Sequence, residues 1–247
     1  MTSLFVKLFN KGSPMVPRVP STGVLCTPQA VTRRLPHSCN LRTTSKRRYS
    51  SFKKRYRDLV EKHGEPPTLT KEYLIYLAGF IEGEGSFTSN ITYSPRAKVA
   101  VKVDCIFNIT QHVDGIVHLI AMMKHFRSGT ILLKSGSNNT YVYSLQNKQA
   151  LQEHVVPYYK KYGLKFTCAE KANTFVAWRK VLDCLIKKAH LTYTGLTTEI
   201  IPNVYKLNPK KGKIKKLSYE NIQIYLKLFH DGKVNEAVTF LEANKTR

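Results

Sequence analysis

The chain has 247 residues, 42% of them hydrophobic, with 40 Lys and Arg against 16 Asp and Glu and a formal net charge of +24. Its length suits one ordinary domain with extensions or two small ones, and so large a basic excess points to a polyanion, nucleic acid first and an anionic membrane surface second, over a solvated basic face with no partner. Composition argues against a disulfide framework or zinc ribbon, because Cys26, Cys39, Cys105, Cys168 and Cys184 are odd in number, scattered and without a CxxC, and no run of about 18 apolar residues predicts a transmembrane helix.

Residues 1–57 hold 13 Lys or Arg and no acid, the first being Asp58. The segment is rich in Ser, Thr and Pro and shows no long apolar face, so 1–60 reads as a basic, disordered extension. Two readings are open. An Arg-rich, Ser-rich, acid-poor stretch has the composition of an organellar transit peptide, and Arg47-Arg48-Tyr49-Ser50-Ser51 has the look of a mitochondrial cleavage region. Mitochondrion is favoured over chloroplast. The same residues would equally serve as an arm that grips phosphates. Residues 58–67 read as a linker ending in Pro66-Pro67, and 1–57 are expected to be dispensable for activity.

Order is predicted from about Thr68. Thr70 can N-cap a helix, with Glu72 in the first turn, and Leu74, Leu77, Ala78 and Ile81 recur at helical spacing. Gly83 and Gly85 end that helix. Residues 86–94 and 97–110 alternate as strands around a Pro95-Arg96 turn, with Val99, Val101, Val103 and Cys105 on one face. Residues 114–126 carry a helical stripe, in which His118 and His125 read as polar side chains and not metal ligands. A second hairpin, 129–134 and 140–146, follows. Residues 148–161 suit a helix bent or broken at Pro157, and 169–188 a longer one with Phe175, Trp178, Leu182 and Leu185 inward. Beyond 200 lie a basic loop (208–216) and two short helical patterns, 218–230 and 233–243. The core pattern is α-β-β-α-β-β-α, an α+β architecture with helices on one side of an antiparallel sheet. The boundaries are thus 1–60, 68–200 and 201–247.

The chemistry concentrates in residues 77–85. Ala78, Gly79 and Gly83 are small residues at a spacing that admits a second helix at close range, and a helical glycine costs about 1 kcal/mol relative to alanine. Glu84 sits between two glycines at the negative end of the helix dipole, where a carboxylate is disfavoured. A divalent cation bound by that carboxylate and the Gly83 carbonyl would remove the conflict, since hard oxygen ligands suit Mg²⁺. The plain alternative is a glycine-capped helix end with solvated acids.

Residues Leu77-Ala78-Gly79-Phe80-Ile81-Glu82-Gly83-Glu84-Gly85, followed by Ser86-Phe87, resemble the LAGLIDADG motif of homing endonucleases position for position. Residues 169–196, with a closing helix and an HLT-x-x-GL turn, are similar to the family too, so the resemblance covers roughly 68–200. It implies a curved antiparallel sheet lying in a DNA major groove, wide enough for a β-ribbon. It further implies metal-dependent hydrolysis with Mg²⁺ held by Glu84 and Gly83, and a homodimer, since only one motif is found. Leu77, Ala78, Gly79 and Ile81 then form the dimer interface. Glu stands where the family name has Asp at both acidic positions. Gln111 fits a polar position near the attacking water, and Lys171 or Lys165 a nearby lysine. Candidate DNA contacts are Asn90, Thr92, Tyr93, Arg96, Lys98, Lys102, Asn108, Lys134, Ser137, Asn138, Asn139 and Tyr141. The resemblance implies double-stranded DNA as partner, and no membrane. The alternative is a group I intron maturase, or another RNA-binding protein of the same fold, bound to intron RNA.

Overall fold

The computed structural model describes residues 43–94, 99–207 and 217–244, with side chains from residue 51 onward. The first described element is helix α1 (Thr43–His63). The expected linker is therefore helical up to His63, and so is the end of the supposed disordered extension; residues 1–42 lie outside the described residues. The reason is a stripe the charge concealed. Phe52, Tyr56, Leu59 and Val60 recur at steps of three or four and pack against the core, where α1 lies along α3 (Ile116–Phe126). Gly64, at φ +90°, ends the helix in the left-handed conformation that glycine adopts without penalty, and its N–H bonds Val60 O at 2.8 Å.

Helix α2 (Lys71–Glu84) starts as expected: Thr70 Oγ1 accepts the Tyr73 N–H at 3.2 Å. It leads into strands β1 (Gly85–Tyr93) and β2 (Val101–His112). The second strand begins four residues later than the alternation suggested. Ala100 takes a left-handed backbone, φ 63°, so Val99 falls outside the ladder; the 95–96 turn lies outside the described residues. Strands β3 (Thr130–Leu133) and β4 (Thr140–Leu145) complete an antiparallel sheet of order β1-β2-β4-β3.

Odd-numbered strand residues make the inner face. Phe87, Val101, Val103, Cys105, Phe107, Ile109, Ile131, Tyr143 and Leu145 are all buried in one core with α2, α3 and α6 (Ala169–Ile186). Helices α4 (Lys148–Ala150) and α5 (Val156–Tyr162) flank a π turn at Leu151–Val155. That wider turn is how the chain accommodates Pro157, which has no N–H to donate. Trp178 is fully buried, with its Nε1–H on Thr88 O at 3.1 Å, a core residue as expected. The tail forms α7 (Ile201–Lys206), α8 (Tyr219–His230) and α9 (Val234–Asn244), entered through a π turn at Gly195–Ile200. Ile222, Tyr225, Leu226, Ala237 and Leu241 bury into the same core as the sheet. The basic loop 208–216 lies outside the described residues. No described helix is long and apolar enough to cross a membrane.

Candidate active site and nucleic-acid face

Helix α2 divides its residues between two faces. Leu77, Ala78 and Ile81, expected at a dimer interface, are fully buried in the chain's own core together with Leu74. The correction follows from helical phase: these are the stripe that docks α2 on the sheet, so they cannot also meet a second helix. Gly79 does lie on the open face, with Tyr76, Phe80 and Gly83. A Cβ added at Gly79 or Gly83 would meet nothing within 4 Å. Beside the glycines an aromatic group gathers on His118, whose ring centroid lies 5.3 Å from that of Tyr76 and 5.7 Å from that of Phe80. Burial lowers the His118 pKa, which favours a neutral ring that can accept the Tyr73 hydroxyl at Nδ1, 2.8 Å away.

The C-terminal turn of α2 is tied by groups from distant sequence. Lys171, near the start of α6, donates to Ile81 O at 2.6 Å and to Glu82 O. It thereby places a cation on carbonyls of the last turn, at the negative end of the helix dipole, where Ile81 O also accepts the Gly85 N–H. Burial lowers the Lys171 pKa, while Glu82, Cys168 and Glu84 pull it back up. Glu82 points toward the protein. Its carboxylate accepts the Cys168 N–H at 3.2 Å and the Tyr159 hydroxyl at 3.1 Å, and Tyr159 also bonds Thr167 at 2.7 Å. Burial by itself would raise the Glu82 pKa; the bonds from Cys168 and Tyr159, with Lys171 nearby, turn the net shift downward. Gly85 is required by close approach, because a Cβ there would sit 2.6 Å from Ile81 O.

Glu84 differs from its neighbour. It is the exposed last residue of α2, and no hydrogen bond to its carboxylate is found among the described residues. Gln111 is brought to the same end of the sheet. Gly85 pairs with Ile109, so Gln111 is two residues past the strand partner of the helix end. Its Oε1 accepts the His112 N–H at 2.8 Å, and its side chain fills the space left by Gly115, where a Cβ would lie 2.6 Å from Nε2. Of the two candidate lysines, Lys171 is at this end. Lys165 is exposed, with Nζ 4.6 Å from the Phe166 ring centroid. Sequence reasoning missed the Glu82–Tyr159–Thr167 network and the His112–Asp114 pair at 2.9 Å. An H-x-D spacing hinted at the second, while no local pattern announces the first.

The fit to a divalent cation can be judged from the donors. The Glu84 carboxylate and the Gly83 carbonyl are hard oxygens at an exposed helix end, the class that Mg²⁺ prefers. No group of three or more His, Cys, Asp or Glu gathers among the described residues. One chain thus offers few ligands, and a cation here would draw on water, substrate oxygens or a second copy.

Even-numbered strand residues make the other face, which is open apart from the buried Ile106. Asn90, Thr92 and Lys102 lie on this outer face, and Lys102 pairs with Asp104 at 2.8 Å. Asn108 is on it too, beside Ser86 and Ser144. Lys134, Ser137, Asn138 and Asn139 form the β3–β4 turn, in which Gly136 supplies a φ of +76°. Two expected contacts belong to the other face. Tyr141 shares the phase of buried Tyr143 and packs edge-on against His63 of α1, centroids 5.6 Å apart. Tyr93 meets Tyr225 of α8 at 5.5 Å. Both sit on the inner side of a period-2 strand, and so they are removed from the DNA contacts. Arg96 and Lys98 lie outside the described residues.

The family model described as LAGLIDADG endonuclease matches residues 77–182. The chain is similar to DNA endonuclease I-CeuI of Chlamydomonas moewusii, 34% identical over 145 residues, 59% of this chain and 66% of that protein. It is also similar to homing endonuclease I-ApeII of Aeropyrum pernix, 26% identical over 131 residues, 50% of this chain and 77% of that protein. Among solved structures, the group I intron-encoded homing endonuclease I-CeuI complexed with DNA superposes with a TM-score of 0.69 at 29% identity, over 74% of this chain and 89% of that one. The archaeal intron-encoded homing endonuclease I-Vdi141I complexed with DNA gives a TM-score of 0.57 at 28% identity, over 64% of this chain and 97% of that one.

Proposed function

The chain belongs to the LAGLIDADG endonuclease family, and on that premise we propose that it is a site-specific DNA endonuclease that cuts both strands as a Mg²⁺-dependent homodimer. The observation that carries the reading is the contrast between two neighbouring acids. Glu82 is consumed by hydrogen bonds to Cys168 and Tyr159, whereas Glu84 is exposed at the helix end, attracted by Lys171 but with no hydrogen bond to its carboxylate among the described residues. A carboxylate left open at the negative end of a helix is disfavoured unless a cation meets it. Glu84 and the Gly83 carbonyl would hold that cation, which when bound activates water and neutralises charge on the phosphate. Lys171 fixes the helix end that carries Glu84, and Gln111 stands at the same end of the sheet as a polar group for the attacking water.

The homodimer is supported by glycine chemistry. Gly79 and Gly83 are four apart on the exposed face, and nothing among the described residues needs them to be glycine. Each costs about 1 kcal/mol in a helix, a penalty that close contact with the same helix of a second copy would offset. A two-fold dimer would select a roughly palindromic target.

The decisive experiment incubates the full chain with intronless and intron-containing host DNA, in Mg²⁺ or in EDTA. Cutting is expected only of the intronless DNA and only with Mg²⁺. Glu84→Gln should reduce it by more than the about 10- to 100-fold typical of losing a group that merely supports a metal ligand, with DNA binding retained. Wild-type cutting by that variant would remove Glu84 from the reaction. Binding of intron RNA without any DNA cleavage would replace this reading with an RNA-binding one. Gly79→Leu should leave a folded monomer by sedimentation, and an unchanged dimer would move the interface off α2.

A further inference from the structure

The outer face of the sheet is mostly polar; apart from Ile106, which is buried opposite Thr88, its apolar side chains gather in one place. Along β1 it presents Ser86, Thr88, Asn90 and Thr92. Across β2, β4 and β3, however, Thr110 pairs with Val142 and Val142 with Leu132. Leu132 is 66% exposed while its neighbour Ile131 is 8% exposed, so Leu132 points away from the core. Paired side chains on neighbouring strands stand about 5 Å apart at Cβ. Val142 and Leu132 therefore make one continuous apolar spot, which the Thr110 methyl extends. The next row toward the middle of the sheet, Asn108, Ser144 and Thr130, is polar, and just beyond β3 the exposed turn carries Lys134 and Asn138.

An exposed leucine on an edge strand invites strand-to-strand association and is normally avoided. A face meant only to donate and accept hydrogen bonds gains nothing from it. Major-groove edges present one apolar group, the 5-methyl of thymine, which is read by apolar contact. We propose that Leu132 and Val142 form a specificity site for 5-methylpyrimidines, so that each half of the target carries thymine at the base pairs facing these residues. This inference rests on the DNA-endonuclease reading. It adds what hydrogen-bonding residues alone cannot supply, discrimination of thymine from uracil at fixed positions.

The test uses the full-length Glu84→Gln chain to hold DNA uncut. Binding sequences are selected from a randomised duplex library, and each thymine of the selected site is then replaced by deoxyuridine, which removes only the methyl. Affinity should fall about 3- to 5-fold per methyl at one or two positions in each half, as burial of one such group predicts, and 5-methylcytosine should restore the apolar contact more fully than cytosine. Leu132→Asn should abolish the sensitivity to uracil at its position, so that the thymine and uracil duplexes bind alike; because Leu132 is exposed, the fold is not at stake. Val142→Ser, which keeps no methyl, should act alike at the adjacent base. A selected site indifferent to uracil everywhere, or one whose uracil sensitivity survives both substitutions, would overturn this inference alone. A library that yields no preferred sequence would overturn the DNA reading and this inference with it.

Discussion

The two ends of the β1–β2 ribbon are held by opposite means. At one end, where Gly85 faces Ile109, the fastening is polar: Lys171 on the last carbonyls of α2, and Glu82 on Cys168 and Tyr159. At the other, Tyr93 faces Val101 and the fastening is aromatic and buried. Tyr225 of α8 is fully buried and packs on Tyr93, and its hydroxyl donates to Ala100 O at 3.3 Å, a carbonyl that also accepts the Ser94 N–H at 2.7 Å. Tyr205 joins this group and bonds Leu217 O at 2.7 Å, which closes the tail onto the hairpin base. The difference teaches a division of labour. Charged groups near the surface hold the end where acid chemistry is proposed, and their strength depends on pH. Rigid apolar packing holds the end that carries Asn90, Thr92 and Lys102, whose angle to the proposed duplex it would fix.

Removing the aromatic fastening should have the largest effect. Tyr225→Ala empties a core position and should lower stability by about 3–5 kcal/mol in denaturant unfolding, as for other buried aromatics. Tyr225→Phe, which loses only the bond to Ala100, should cost about 1 kcal/mol. Faster amide exchange of Ser94 and Val101 in the Phe variant would locate the loss at the hairpin base, whereas equal losses in the two variants would mean that packing contributes nothing there. Lys171→Met breaks the polar end and should cost about 1.5–3 kcal/mol, the range for hydrogen bonds made by a charged group. Its cutting rate should fall further than its DNA affinity, and a uniform fall in both would deny the two ends separate roles. The smallest effect is a pH dependence. The Glu82 pKa is lowered in the folded chain, so its ionised form adds stability above the ordinary carboxylate range, and that contribution is lost as pH falls through the folded value, below about pH 4.5. Urea midpoints taken from neutral to acid pH should therefore drop less steeply for Glu82→Gln than for wild type, by less than about 1 kcal/mol because the group is largely solvated. Parallel curves would show that the Glu82 bonds do not matter to folding.

Much of this was legible beforehand, and the failures have physical causes. The motif, the order of helices and strands, and the inward stripe Leu74, Leu77, Ala78 and Ile81 all follow from local periodicity. That stripe already excluded Leu77, Ala78 and Ile81 from an intermolecular face, and the error was to let one helix face serve two partners. Tyrosine misled at Tyr93 and Tyr141 because its ring suits a core and its hydroxyl suits a groove; strand phase decides, and Tyr143, two residues from Tyr141, is fully buried. The choice of Lys171 over Lys165 depended on where α6 begins, which sequence places only to within a turn. Contacts such as Tyr225 to Ala100, 125 residues apart, carry no local signature at all.

Helix α1 has a consequence for how the chain tolerates proteolysis. The side chains by which it grips the body are Phe52, Tyr56, Leu59 and Val60. The Arg47-Arg48-Tyr49-Ser50-Ser51 run, read as a processing region, ends one residue before the first of them. A cut after Ser51 would spare every one of these anchors. A cut six residues later, after Arg57, the boundary that charge alone suggested, would discard Phe52 and Tyr56 and expose the surface of α3 beneath them. Between those two cuts, six residues of α1 decide whether the surface of α3 stays covered.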